Sequence, residues 1–129
     1  MDKRLDTYNW ASAFEYAGEP YDEERSGYGY GSADVRTHPG SGVSTEPFGR
    51  EDVVAIYQLI EGENDGPSWI CVGLLRDGRF FVLEAGCDYT GWDCQAGGSA
   101  HVAATYEDAI TFGLDDHGRS RLDPVRDAG

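Results

Sequence analysis

The chain has 129 residues, 40% of them apolar, and a formal net charge of −14 from 24 acidic and 10 basic side chains. That length suits one domain with one modest core and is too short for two. The charge argues against direct contact with nucleic acid or an anionic membrane surface, which carry the same sign, and favours basic partners, cations or plain solubility.

The field is heavier at the start, because residues 1–65 hold 14 acids and 5 bases and residues 66–129 hold 10 and 5. Nine of the ten bases are arginine. No run reaches the ~18 apolar residues of a membrane span. The opening Met-Asp-Lys-Arg-Leu has no hydrophobic stretch behind it, so a cytoplasmic location is expected. Three cysteines, an odd number, agree with a reducing compartment.

In chain order, Asp6 is a good N-cap, and Trp10, Ala13, Phe14 and Ala17 recur at helical spacing before Gly18. This predicts an amphipathic helix over 7–17 with buried aromatics. Residues 19–47 carry three prolines, many glycines and serines, and no period, which predicts a long irregular Gly/Tyr-rich arm. Within it, Tyr21, Asp22, Glu23 and Glu24 offer an acid–aromatic surface for a basic partner, or else a solvated loop.

Phe48, Gly49, Glu51 and Asp52 read as a capped helix start with a Phe48–Val53 staple. Val53, Ile56, Tyr57 and Ile60 then supply an apolar stripe, and Gly62 a stop, so a helix is predicted over about 49–62. Glu61, Glu63 and Asp65 extend the acidic set into the turn that follows. A hairpin is predicted next, with strands 68–75 and 79–85 around a two-residue Asp77-Gly78 turn. That turn sets Leu74 opposite Phe81, Val72 opposite Leu83 and Ile70 opposite Ala85, all facing the core. The other face, with Trp69, Cys71, Leu75, Phe80 and Val82, is too apolar for water and needs a cover, from the first helix or the arm. Arg76 and Arg79 flank the turn and are expected in solvent. A third strand over 99–104 follows, then a helix capped by Thr105 with Ala109, Ile110 and Leu114 inward. Asp115 and Asp116 add a further acidic pair, and 123–129 is a polar tail.

The expected architecture is a single α+β domain: a three-stranded antiparallel meander with flanking helices and the long arm, its core built from 48–114.

The connection from Gly86 to Gly98 concentrates chemistry. It holds Cys87, Asp88, Tyr89, Trp92, Asp93 and Cys94 among four glycines. A structural zinc site wants four Cys or His ligands, and this segment has two. The spacing of Asp88 and Asp93 fits no established calcium loop. A Cys87–Cys94 disulfide would close a short loop against a reducing compartment. A catalytic thiolate would want a basic neighbour, and none of His38, His101 and His117 is local to a cysteine. The plain alternative is a structural loop with buried thiols and Trp92 as a plug. No metal or cofactor is expected.

This Gly-Cys-Asp-Tyr-Thr-Gly-Trp-Asp-Cys-Gln-Ala-Gly-Gly string, with Phe48–Val53 and Glu61–Asp65, resembles an uncharacterised family of small acidic proteins of actinobacteria and their phages. The resemblance spans roughly 46–114 and implies kinship without an activity. Two functions are expected to compete. One is a non-catalytic acidic interaction protein for a basic host or cellular partner, in its sharpest form a nucleic-acid mimic. The other is a small-molecule or metal-binding domain that uses the Cys87–Gly98 loop.

Overall fold

The computed structural model describes Leu5, Trp10 and residues 35–62, 68–87 and 95–122. The predicted arm before residue 35 and the polar tail lie outside these residues, as does most of the first predicted helix. The described chain forms a five-stranded sheet: β1 (Val35–Arg36), β2 (Val53–Ile60), β3 (Trp69–Leu75), β4 (Phe80–Cys87) and β5 (Gln95–Ala103). Two short helices follow, α1 (Tyr106–Gly113) and α2 (Asp116–Ser120). Spatial order is β1-β5-β4-β3-β2, with β1 parallel to β5 and the other neighbours antiparallel. The α+β class holds. The sheet is five-stranded and mixed, where the sequence suggested a three-stranded antiparallel one.

The largest correction is at 49–62. Gly49 does open a helical turn: its N–H donates to the Asp52 carboxylate at 2.9 Å, and Arg50–Asp52 form one 3-10 turn. Phe48 and Val53 share a buried cluster. From Val53 on, however, the chain is the edge strand β2. Two register irregularities, after Val53 and after Ile56, leave Val54 and Tyr57 without a partner on β3. Each bulge adds one residue to the two-residue repeat of a strand. Val53, Ile56 and Leu59 therefore reach the same cluster at a spacing of three, which imitates a helical stripe.

The hairpin is also shifted. Leu75 N–H donates to the Arg79 carbonyl (2.8 Å), Gly78 N–H donates to the Leu75 carbonyl (2.9 Å), and Gly78 has φ 94°. This is a three-residue connection ending in a left-handed glycine, one residue longer than the two-residue turn. Pairing slips by one, so Leu74 faces Phe80, Val72 faces Val82 and Trp69 faces Ala85. A slip of one exchanges the faces of one strand relative to the other.

Both faces are covered. On one, Trp69, Cys71, Leu75, Phe81, Leu83, Ala85, Ala100 and Val102 are buried with Leu5, Trp10, Val35, Phe48 and Val53. Trp10 and Val35, from the stretches read as the first helix and the arm, supply part of the cover that this face needs. Cys71 is fully buried within this cluster. On the other face, Ile70, Val72, Val82 and Ala103 meet Ala109 and Leu114 of the helical end. Thr105 caps α1 as expected, accepting from Asp108 N–H at 3.1 Å. Asp115 caps α2 by accepting from Gly118 N–H at 2.7 Å.

Gly73 marks the tightest strand approach. A Cβ there would lie 2.5 Å from the Ala55 carbonyl oxygen and 2.8 Å from the Phe81 ring. No described helix is long and apolar enough to cross a membrane.

Candidate functional site

The Gly86–Gly98 connection is shorter than the sequence suggests. β4 runs to Cys87 and β5 begins at Gln95, with Gly86 opposite Gly97 and Cys87 opposite Gln95. Cys87 therefore ends a strand, and its side chain is outside what is described. Asp88, Tyr89, Trp92, Asp93 and Cys94 lie outside the described residues, as do Tyr21, Asp22, Glu23, Glu24, Glu63 and Asp65.

The remaining acidic candidates separate by role. Glu61 is exposed, yet its two carboxylate oxygens accept from the indoles of Trp10 and Trp69, each at 2.9 Å. It joins the N-terminal segment to β3 and is not an idle surface charge. Asp115 is a cap, and Asp116 pairs with Arg119.

A different group of acids converges. β2 begins, β3 ends, β4 begins and β5 ends at one end of the sheet, around the Arg76–Gly78 turn. Six of the ten described carboxylates sit there: Glu46, Glu51, Asp52, Asp77, Glu107 and Asp108. The three arginines at that end are turned onto the chain itself. Arg50 donates to the Leu5 carbonyl (3.0 Å) and Arg76 to that of Glu51 (3.0 Å).

Arg79, expected in solvent, is 7% exposed. Its guanidinium donates to the carbonyls of Ser44 (2.8 Å) and Glu46 (2.9 Å), pairs with Asp77 at 2.9 Å and lies 5.9 Å from the centre of the Phe48 ring. Those carbonyls come from the segment that crosses toward β2, which explains the burial: a guanidinium supplies several donors in one fixed fork. Elsewhere, Arg119 donates to the Thr111 carbonyl and Arg121 to that of Ser68. Five of the six described arginines thus bind main-chain oxygens, and two ion pairs join described residues.

Beside the acidic end is an open groove of about 380 Å³ lined by Tyr57, Phe80, Ala104, Thr105, Tyr106 and Glu107. The second bulge of β2 aims Tyr57 into it. Tyr57 stacks on Phe80 (centroids 5.9 Å, planes 24° apart) and meets Tyr106 edge-on at 5.7 Å. The buried Gln58 amide donates to the Tyr106 hydroxyl at 3.2 Å, which fixes that ring.

Two titratable groups stand out on the helical face. His38 Nδ1 and His101 Nε2 are 3.0 Å apart, with ring planes 8° apart and centroids 5.2 Å apart. Such rings are coplanar and joined edge to edge by one N–H···N bond. His38 also stacks on the exposed Phe112 at 4.0 Å. Burial, and then His38, hold the His101 pKa below its ordinary value. Glu84 is half-buried; burial first and Asp115 second push its carboxyl above the usual range, against the pull of Arg121 and His117. Among the described residues, no three of His, Cys, Asp and Glu come together to hold a metal ion.

The sequence reading missed the aromatic groove, the histidine pair, buried Arg79 and Glu84. The one available signal was the pair of histidines, at 38 and 101, and nothing in their spacing links them. No family model, curated protein or solved structure matches the chain.

Proposed function

We propose that the protein is a non-catalytic acidic interaction module that binds a basic protein partner, with the turn end of the sheet as its contact surface. The observation that carries this reading is the division of labour among charges at that end. Its arginines are committed to main-chain carbonyls, and its six carboxylates are held on a rigid sheet end. Arg79 is buried and Arg50 half-buried, and the exposed Arg76 gives one N–H to the Glu51 carbonyl, so all three cancel charge at long range while the exposed carboxylates Glu46, Glu51 and Glu107 outnumber the one arginine that faces solvent. Such a surface speeds encounter with a cationic partner and rejects polyanions. A phage-encoded mimic that occupies a nucleic-acid-binding protein is the sharpest form of this reading.

Binding to a hexa-arginine peptide tests it by titration across salt. Affinity should fall steeply as ionic strength rises, since exposed charges are screened beyond ~8 Å at physiological salt. Replacing Glu46, Glu51, Glu107 and Asp108 by their amides should weaken binding, chiefly through slower association. Absence of binding at low salt, or binding indifferent to salt and to these changes, would sink the proposal.

A further inference from the structure

The aromatic groove at the acidic end has a composition that selects one kind of guest. Three half-buried rings form its walls, Glu107 stands exposed in its lining, and none of its six lining residues is basic. Aromatic faces carry negative quadrupole charge and attract cations. An anion would meet Glu107 and the phenol rings with no positive side chain to receive it. The N-terminus of α1 contributes about half a positive unit there, and Glu107 with Asp108 outweighs it.

A neutral apolar guest would gain from the rings but would have to strip water from Glu107. A cation gains from both. Among cationic side chains, ammonium is compact and strongly hydrated. Guanidinium is flat, weakly hydrated, stacks on rings and meets a carboxylate with two parallel N–H groups. The same pairing already occurs inside this molecule, where Arg79 lies over Phe48 and binds Asp77.

We infer that the groove between β2, β4 and the start of α1 receives an arginine side chain of the basic partner. In it the guanidinium stacks against Tyr57, Phe80 or Tyr106 and pairs with Glu107. This deepens the acidic-module reading and rests on it for the source of the arginine. The bulge in β2 then has a purpose: it supplies an extra residue whose ring completes the wall, a use to which bulges beside binding sites are put.

The test uses acetyl-Gly-Arg-Gly-amide and its citrulline counterpart, a neutral near-isostere, with the full chain observed by NMR. The arginine peptide should shift resonances of Tyr57, Phe80, Tyr106 and Glu107, and the citrulline peptide should bind at least about fivefold more weakly. Glu107→Gln and, separately, Tyr57→Leu should each weaken arginine binding several-fold, with unchanged spectra elsewhere showing that the fold is intact. Equal binding of the two peptides, or shifts confined to Glu46, Asp52 and Asp77, would overturn the inference. Salt-sensitive binding of hexa-arginine that Tyr57→Leu leaves unaltered would remove the groove and spare the acidic module. Shifts in the groove with no salt-sensitive binding of hexa-arginine would remove the module and spare the groove.

Discussion

The two faces of the sheet are built for different tasks. The face holding Trp69, Cys71, Phe81 and Leu83 is dry and broad, closed by residues from both the N-terminal segment and the crossing segment 43–48. The opposite face, beneath α1, has a smaller buried set and a rim of half-buried groups: the histidine pair, Glu84 and the aromatic groove. Packing energy is concentrated on the first face, and the shifted titratable groups and the aromatic groove lie on the second. A perturbation should therefore reveal its face by its signature, large and independent of pH on one, small and dependent on pH on the other.

The sharpest way to break this contrast is Phe81→Ala. Phe81 is fully buried on the broad face. Truncation should cost about 3–5 kcal/mol in denaturant unfolding, similarly at pH 5 and pH 8. Leu83→Ala should follow at about 2–5 kcal/mol. The slipped register does not rescue it, because Leu83 is buried on either reading. A loss below ~1 kcal/mol for both would mean the broad face is not the main core.

Next in size is Glu61→Leu, which leaves two indole N–H groups on buried tryptophans without their acceptor. We expect a loss of about 1–3 kcal/mol and a changed tryptophan emission. Unaltered emission and stability would mean that water replaces the carboxylate freely.

The smaller effects belong to the helical face and carry opposite signs in pH. His101 is held below its ordinary pKa, so the unfolded chain takes up its proton first as pH falls. Stability should be intact above about pH 6.5 and should decline as pH drops from there through the folded value. His101→Gln should flatten that decline, and a decline that persists unchanged would assign it to other groups. Glu84 behaves in the reverse sense: its folded pKa is raised, so stability is lost as pH climbs from 4.5 through the folded value. Glu84→Gln should therefore melt slightly higher than the wild type at pH 7 and no higher at pH 4. A lower melting temperature at pH 7 would show that Arg121 and His117 repay the burial of the charge in full.

What could be read from the sequence divides along physical lines. α1 was legible because its signals are local: Thr105, Glu107 and Asp108 form the cap and first turn within four residues. β2 was not, because Val53, Ile56, Tyr57 and Ile60 recur at helical spacing, whereas the bulged strand sends Val53 and Ile56 to one face and Tyr57 and Ile60 to the other. Its β-branched run of Val53, Val54 and Ile56 was the contrary signal. The existence of the hairpin was legible from Asp77-Gly78, whereas its register depended on whether the loop held two residues or three. Arg79 looked exposed because its partners, the carbonyls at 44 and 46, lie over thirty residues away. The groove was invisible for the same reason, since three separate segments supply its walls.

The placement of β1 also constrains when the molecule can be completed. Thr37 donates to the Val102 carbonyl, 65 residues further along, and among the described strands β1 pairs with β5 alone. β2 to β5 can pair in succession as each emerges from the ribosome, each strand meeting one just made. Val35 to His38 cannot dock until β5 exists, roughly 3–13 s later at ~5–20 residues per second. Through that interval Val35 waits outside a half-built core. The nascent chain's most hazardous moment is therefore late, and it belongs to residues made early. Release from the ribosome before β5 is finished should yield a species that aggregates through this waiting segment.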